Sequence, residues 1–298
     1  MRRRTLILAT AAALAAPLTA FATRDHHVRP SFPAPKVSGA PGQTAMLFAG
    51  VMPVVAATID GKGPFKLAID TGSPGYLSLN APIAQALGLK VSGKAIQVDP
   101  SGRNPVTMDR YKLDALAMAG LTFHDLEVEG MPAIGGKAPP FDGILGMNLF
   151  DAHTLVLDFK GKVVGVSTAR LPAADGAAVI AYPPGPLIQL PVAIGGTTLQ
   201  AHLDTGQQIA GLMVPTTALP RLAVHGEPRR LGVAHTVSEA YDLFAVGIDA
   251  AVKVGATPLP VTEVAYPTVV PVANIGARAL AGMTVAIDRP SRTVRLQA

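Results

Sequence analysis

The chain has 298 residues, enough for one or two domains, and nearly half of them are hydrophobic, ample for a sizeable core. Lys and Arg outnumber Asp and Glu by 25 to 20, but Arg2, Arg3 and Arg4 sit together at the start. Without them the balance is about +2, which gives no reason to propose nucleic acid as a partner, and the lack of Cys excludes disulfides, thiolate chemistry and a lipidated cysteine.

Met1-Arg2-Arg3-Arg4, an uncharged run from Thr5 to Ala20 and the small-residue site Ala20-Phe21-Ala22 describe a secretory signal peptide over residues 1–22. The competing reading is a retained membrane anchor, for which the run is short and rich in Ala. Arg3-Arg4 leaves both general secretion and twin-arginine export open. The expected product is periplasmic or secreted, with no stable membrane insertion after cleavage. Residues 23–43 shift to Pro, Arg, His and Gly and read as a linker without packed structure. His26-His27 has no further ligands at metal-site spacing and reads as a solvated pair.

From residue 44 onwards the pattern is short apolar runs broken by Gly and Pro, which predicts an all-β fold. Met52 to Ile59 and Phe65 to Ile69 flank Asp60-Gly61-Lys62-Gly63, and Asp-Gly is a strong hairpin signal. Leu77-Ser78-Leu79 predicts a strand, and Pro82 to Leu87 a short helix closed by Gly88. Tyr111 to Met118 and Thr122 to Val128 form a hairpin around Ala119-Gly120-Leu121; Thr154 to Phe159 and Val163 to Val166 form another around Lys160-Gly161-Lys162. The stretch from Ala169 to Pro186 reads as a connection, leaving lobes at 44–170 and 187–298 with 171–186 as the linker.

The second half repeats this programme. Ala68-Ile69-Asp70-Thr71-Gly72-Ser73 returns as His202-Leu203-Asp204-Thr205-Gly206-Gln207, each copy following an apolar run. Ile144 to Asp158 lies over Asn274 to Asp288 without a gap, with Gly, Thr and a final Asp in the same places. Asp70 to Gly146 is 76 positions and Asp204 to Gly276 is 72, so each half carries one Asp at matched spacing from a distal Gly.

An apolar-apolar-Asp-Thr-Gly motif followed some seventy residues later by an apolar-apolar-Gly resembles the lobe of the retropepsin-like aspartic proteases. The first half matches closely through Ile144-Leu145-Gly146 and the following Met147-Asn148-Leu149-Phe150; Asn274-Ile275-Gly276 matches less well. The resemblance implies two pepsin-type β-barrel lobes related by pseudo-two-fold symmetry, with Asp70 and Asp204 as a catalytic dyad made within one chain. It implies that Thr71 and Thr205 tie the two Asp loops together, and that Gly72 and Gly206 allow close backbone approach. Two adjacent carboxyls share one proton; the charged one activates water and the protonated one bonds the scissile carbonyl. The implied activity is aspartic-type endopeptidase on a peptide or protein substrate, by a monomer, with no metal or other cofactor. Flaps are expected as hairpins near Ile96 to Tyr111 and Leu231 to Leu243.

Two departures stand out. Gln207 replaces the small residue that Ser73 keeps, and the resemblance implies that a hydroxyl there bonds the carboxylate. Asn274 puts an amide beneath the second Asp loop where Ile144 is aliphatic. They leave open an alternative, a catalytically inactive two-lobed protein that binds extended peptides in the same cleft. A metal-dependent hydrolase is a third reading, but His124, His153, His202, His225 and His235 show no ligand spacing.

Overall fold

A computed structural model describes residues 33–97, 105–131, 139–235, 240–267 and 272–298. The expected signal peptide, His26-His27 and the polar stretch Ser101–Asn104 lie outside the described residues. The architecture is all-β, in three sheets, with one short α-helix, Ala81–Leu87, among the described residues. No helix among them is long and apolar enough to cross a membrane.

Strand formation follows the alternation of side chains. In Gln189–Ile194 every second residue is buried, so one face packs on the core. Leu67, Ala68 and Ile69 are all fully buried because both faces of their strand are covered. Leu67 and Ile69 enter the main core, while Ala68 faces a smaller apolar cluster with Met52, Val54, Met131, Phe141 and Ile144. At the predicted hairpin Asp60 (φ 49°) and Gly61 (φ 73°) both take left-handed angles, the backbone of a tight turn that Asp-Gly favours. Gly88 closes the short helix in the left-handed region, as predicted.

The first sheet runs in the order Lys36–Gly39, Leu121–Met131, Leu77–Asn80, Gly143–Gly146, Lys62–Asp70, Met52–Ile59, Val106–Met118, Val91–Gln97. The corresponding sheet of the second half places Leu212–Met213, Ala273–Gly276, Thr197–Asp204 and Gln189–Ile194 side by side. In both, the strand ending in Asp lies parallel to the strand ending in the distal Gly: Asp70 opposite Gly146, and Asp204 opposite Gly276.

A third sheet of six strands takes members from both halves. Thr154–Asp158 and Thr284–Asp288 pair antiparallel at its centre, and the pairing is reciprocal: Thr154 opposite Asp288, Asp158 opposite Thr284. The aligned ends of the repeat are therefore partners. Each half thus gives its last hairpin to a shared sheet. Short strands also form in the stretches expected as linkers. Lys36–Gly39 pairs with Leu121–His124 and Gln43–Ala45 with Val163–Gly165, while Val179–Ala181 pairs with Thr293–Arg295. These short strands sit on open sheet edges, where backbone groups need partners whatever the side chains are.

Candidate active site

Each Asp stands at the last position of a strand whose neighbours are buried, so its carboxyl leaves the sheet where the chain turns. The turns are locked to one another through threonine. The Thr71 hydroxyl donates to the Leu203 carbonyl at 2.7 Å and accepts from the Thr205 N–H at 3.0 Å. Thr205 mirrors it, its hydroxyl donating to the Ile69 carbonyl at 2.6 Å and accepting from the Thr71 N–H at 3.0 Å. Both side chains are buried, at 1% and 0% exposure. Four hydrogen bonds away from water hold the loops in register, and no residue without a hydroxyl reproduces them.

The adjoining glycines let the carboxyls meet. A methyl group added at Gly72 would lie 2.6 Å from Cγ of Asp204, and one at Gly206 would lie 2.6 Å from Cγ of Asp70. Each carboxyl thus rests over the other half's glycine, in space that any side chain would fill. The Gly72 N–H donates to Oδ1 of Asp70 at 2.8 Å. Oδ1 of Asp204 accepts the Gln207 N–H at 3.1 Å.

Burial pushes the Asp204 carboxyl up to about 8, with the Asp70 charge and a hydrogen bond to Asp70 acting in the same direction. The Gln207 and Gly206 backbone N–H groups oppose the rise. At neutral pH the pair therefore keeps one proton between its two carboxyls. This arrangement can do acid and base chemistry at once.

Residues 55–149 match the family model for aspartyl proteases. Over that stretch the half carrying Asp70 is similar to the aspartyl proteases. The match spans Asp70-Thr71-Gly72-Ser73 and Ile144-Leu145-Gly146. No curated protein matches the chain.

The structure gives both departures their partners. Gln207 serves its own loop: its Oε1 accepts the N–H groups of Ile209 (2.7 Å) and Ala210 (2.9 Å), and its Nε2 donates to the Ala210 carbonyl (3.1 Å). Its backbone, not its side chain, reaches Asp204. Asn274 is no passive neighbour beneath the loop, since its Nδ2 donates directly to Oδ2 of Asp204 at 2.9 Å. The Ser73 hydroxyl lies 3.4 Å from the Pro74 carbonyl.

Leu145 and Ile275 are fully buried and anchor the distal motifs in the core, opposite Ile69 and Leu203. The surroundings of the carboxyls differ. Beside Asp70, Ala68 and Ile144 pair within the apolar cluster; beside Asp204, the same register places His202 opposite Asn274, with Gln189 3.3 Å from the His202 ring. Sequence reasoning missed the contact of Gln208 with Met52 across the halves, and that of Arg278, whose Nε donates to the Gln208 carbonyl at 2.7 Å. The only available signal was that Arg278 takes the place of Asn148 in the repeat.

Hairpins occur where flaps are expected: Val91–Gln97 with Val106–Met118, and Val224–His235 with Ala240–Ile248. Their tips, 98–104 and 236–239, lie outside the described residues. Among the described residues no three His, Asp or Glu side chains converge as metal ligands.

Proposed function

We propose that the chain is an aspartic endopeptidase whose catalytic pair is Asp70 and Asp204 of one polypeptide. The observation that carries this reading is the reciprocal lock, in which Thr71 and Thr205 bond each other's loops and Gly72 and Gly206 each make room for the other half's carboxyl. The reciprocal pairing of Thr154–Asp158 with Thr284–Asp288 supports a pseudo-two-fold relation between the lobes.

Asp70, charged, takes a proton from a water molecule as general base while the water oxygen bonds to the scissile carbonyl carbon. The Asp204 proton passes to the carbonyl oxygen, which gives a neutral tetrahedral diol. As that diol collapses, the proton on Asp70 goes to the leaving nitrogen and the C–N bond breaks. A diol hydroxyl returns its proton to Asp204, and the pair is reset. Gln207, the residue behind the inactive alternative, turns its side chain away from the carboxyls, so it gives that alternative no support. The basic, apolar N-terminus supports export, and the protein acts as a periplasmic or secreted monomer on extended peptides.

The test is cleavage of an unfolded protein at acid pH, with and without a chelator. Wild type cleaves in both conditions, and Asp70→Asn and Asp204→Asn do not. Full cleavage by either variant refutes the assignment.

A further inference from the structure

The two carboxyls of the pair differ in one respect that the repeat does not require. Parallel register puts Asp204 opposite Gly276 and, two residues earlier, His202 opposite Asn274. Side chains alternate along a strand, so Asn274 emerges on the face that carries Asp204. Its amide then meets the carboxyl, Nδ2 to Oδ2 at 2.9 Å. At the matching place in the first half stands Ile144, opposite Ala68 in the apolar cluster, with no group able to donate or accept. Asn274 thus puts an amide where the first half has an aliphatic side chain.

The far side of that amide is also informative. Oδ1 of Asn274 is buried with no hydrogen-bond partner. A buried amide with half its capacity unused is unfavourable unless it serves something else. Here the carboxyl beside it changes state during the reaction. When Asp204 is charged, the amide N–H donates to it. When Asp204 is protonated, its carbonyl oxygen can still accept the amide N–H, which leaves the acid's O–H for the substrate carbonyl. An amide presents both a donor and an acceptor on one planar group; Ile, Leu or Val presents neither.

We propose that Asn274 is a positioning residue that holds the Asp204 carboxyl in one orientation through both of its protonation states. This rests on the reading of Asp70 and Asp204 as the catalytic pair. Gln207 does not perform the task, since its side chain is committed to Ile209 and Ala210. The charged and titratable groups around Asn274 and Asp204 are Asp70 across the gap, His202 on the same strand, and Arg278 just beyond Gly276, held on the Gln208 carbonyl.

An N–H donated to a carboxylate is stronger than the same N–H donated to a neutral acid. Removing the amide therefore favours the protonated form of Asp204 and moves its titration upwards. The experiment follows the Asp204 carboxyl by carbon-13 NMR in aspartate-labelled protein, beside the pH dependence of kcat and KM. Asn274→Ile, the residue the first half uses, is expected to titrate about one pH unit higher and to lose about tenfold in kcat with little change in KM. Asn274→Ala, which removes both the donor and the acceptor without adding bulk, is expected to move the titration the same way and serves if the Ile variant does not fold. An Asp204 titration that stays put in a folded variant overturns the proposal whatever the activity. A titration that moves in a protein that cleaves nothing supports the role of Asn274 and refutes the catalytic reading instead.

Discussion

Replacing Thr71 by Val keeps the shape of the side chain and removes only its hydroxyl. That hydroxyl makes two hydrogen bonds across the halves, to the Leu203 carbonyl at 2.7 Å and from the Thr205 N–H at 3.0 Å. Both partners are buried, so neither finds water in exchange. Leaving a buried polar group unpaired costs about 1–3 kcal/mol, so Thr71→Val should lose ~2–5 kcal/mol of stability. For a protein of this size that is a fall in Tm of roughly 5–15 °C. Thr71→Ser keeps the hydroxyl and loses one methyl group, about 1 kcal/mol. The assay is thermal unfolding of the three proteins side by side, with cleavage measured well below Tm. Thr71→Val should also lose activity, because the lock sets the spacing of the carboxyls. The double variant Thr71→Val/Thr205→Val should cost less than the sum of the single ones, since the four bonds form one network. A Thr71→Val protein within about 0.5 kcal/mol of wild type, or less damaged than Thr71→Ser, would refute the lock as the element that joins the loops.

Other outcomes follow from the same site. Asp204 is raised to about 8 in the folded protein and lies near 4 when unfolded, so between those values the folded state binds the extra proton. Wild type should therefore lose stability as pH rises from about 4 to 8 relative to Asp204→Asn, as read by Tm against pH; parallel curves would contradict the assigned proton. Gln207→Ser removes three bonds that its side chain makes within the loop and adds none that the structure requires, so it should lower stability by about 1–3 kcal/mol without raising kcat; a more active, equally stable variant would contradict this.

Much of this was legible in the sequence because the relevant signals are local or repeated. Asp60-Gly61 announces its turn by residue type, and the copies at Asp70 and Asp204 announce a common environment through spacing alone. What could not be read was partnership. Thr154–Asp158 and Thr284–Asp288 are plainly strands, but nothing in their apolar pattern says that they pair with each other across the halves. Lys36–Gly39 is exposed at all four residues, so it carries no hydrophobic period and reads as a linker. The partners of Gln207 and Asn274 were out of reach for the same reason. The sequence marks both as unusual, but which of two amides reaches a carboxyl depends on a loop conformation and a strand register set elsewhere in the fold.

One measurement separates a pair made within a single chain from any other arrangement. Asp70→Asn and Asp204→Asn are purified separately, assayed alone, and then mixed in equal amounts across a wide range of concentration. With both carboxyls required from the same polypeptide, the mixture stays as inactive as its components, and wild type keeps a constant specific activity on dilution. Cleavage that returns on mixing, or a wild-type specific activity that falls with dilution, would contradict a site built from Asp70 and Asp204 of one chain.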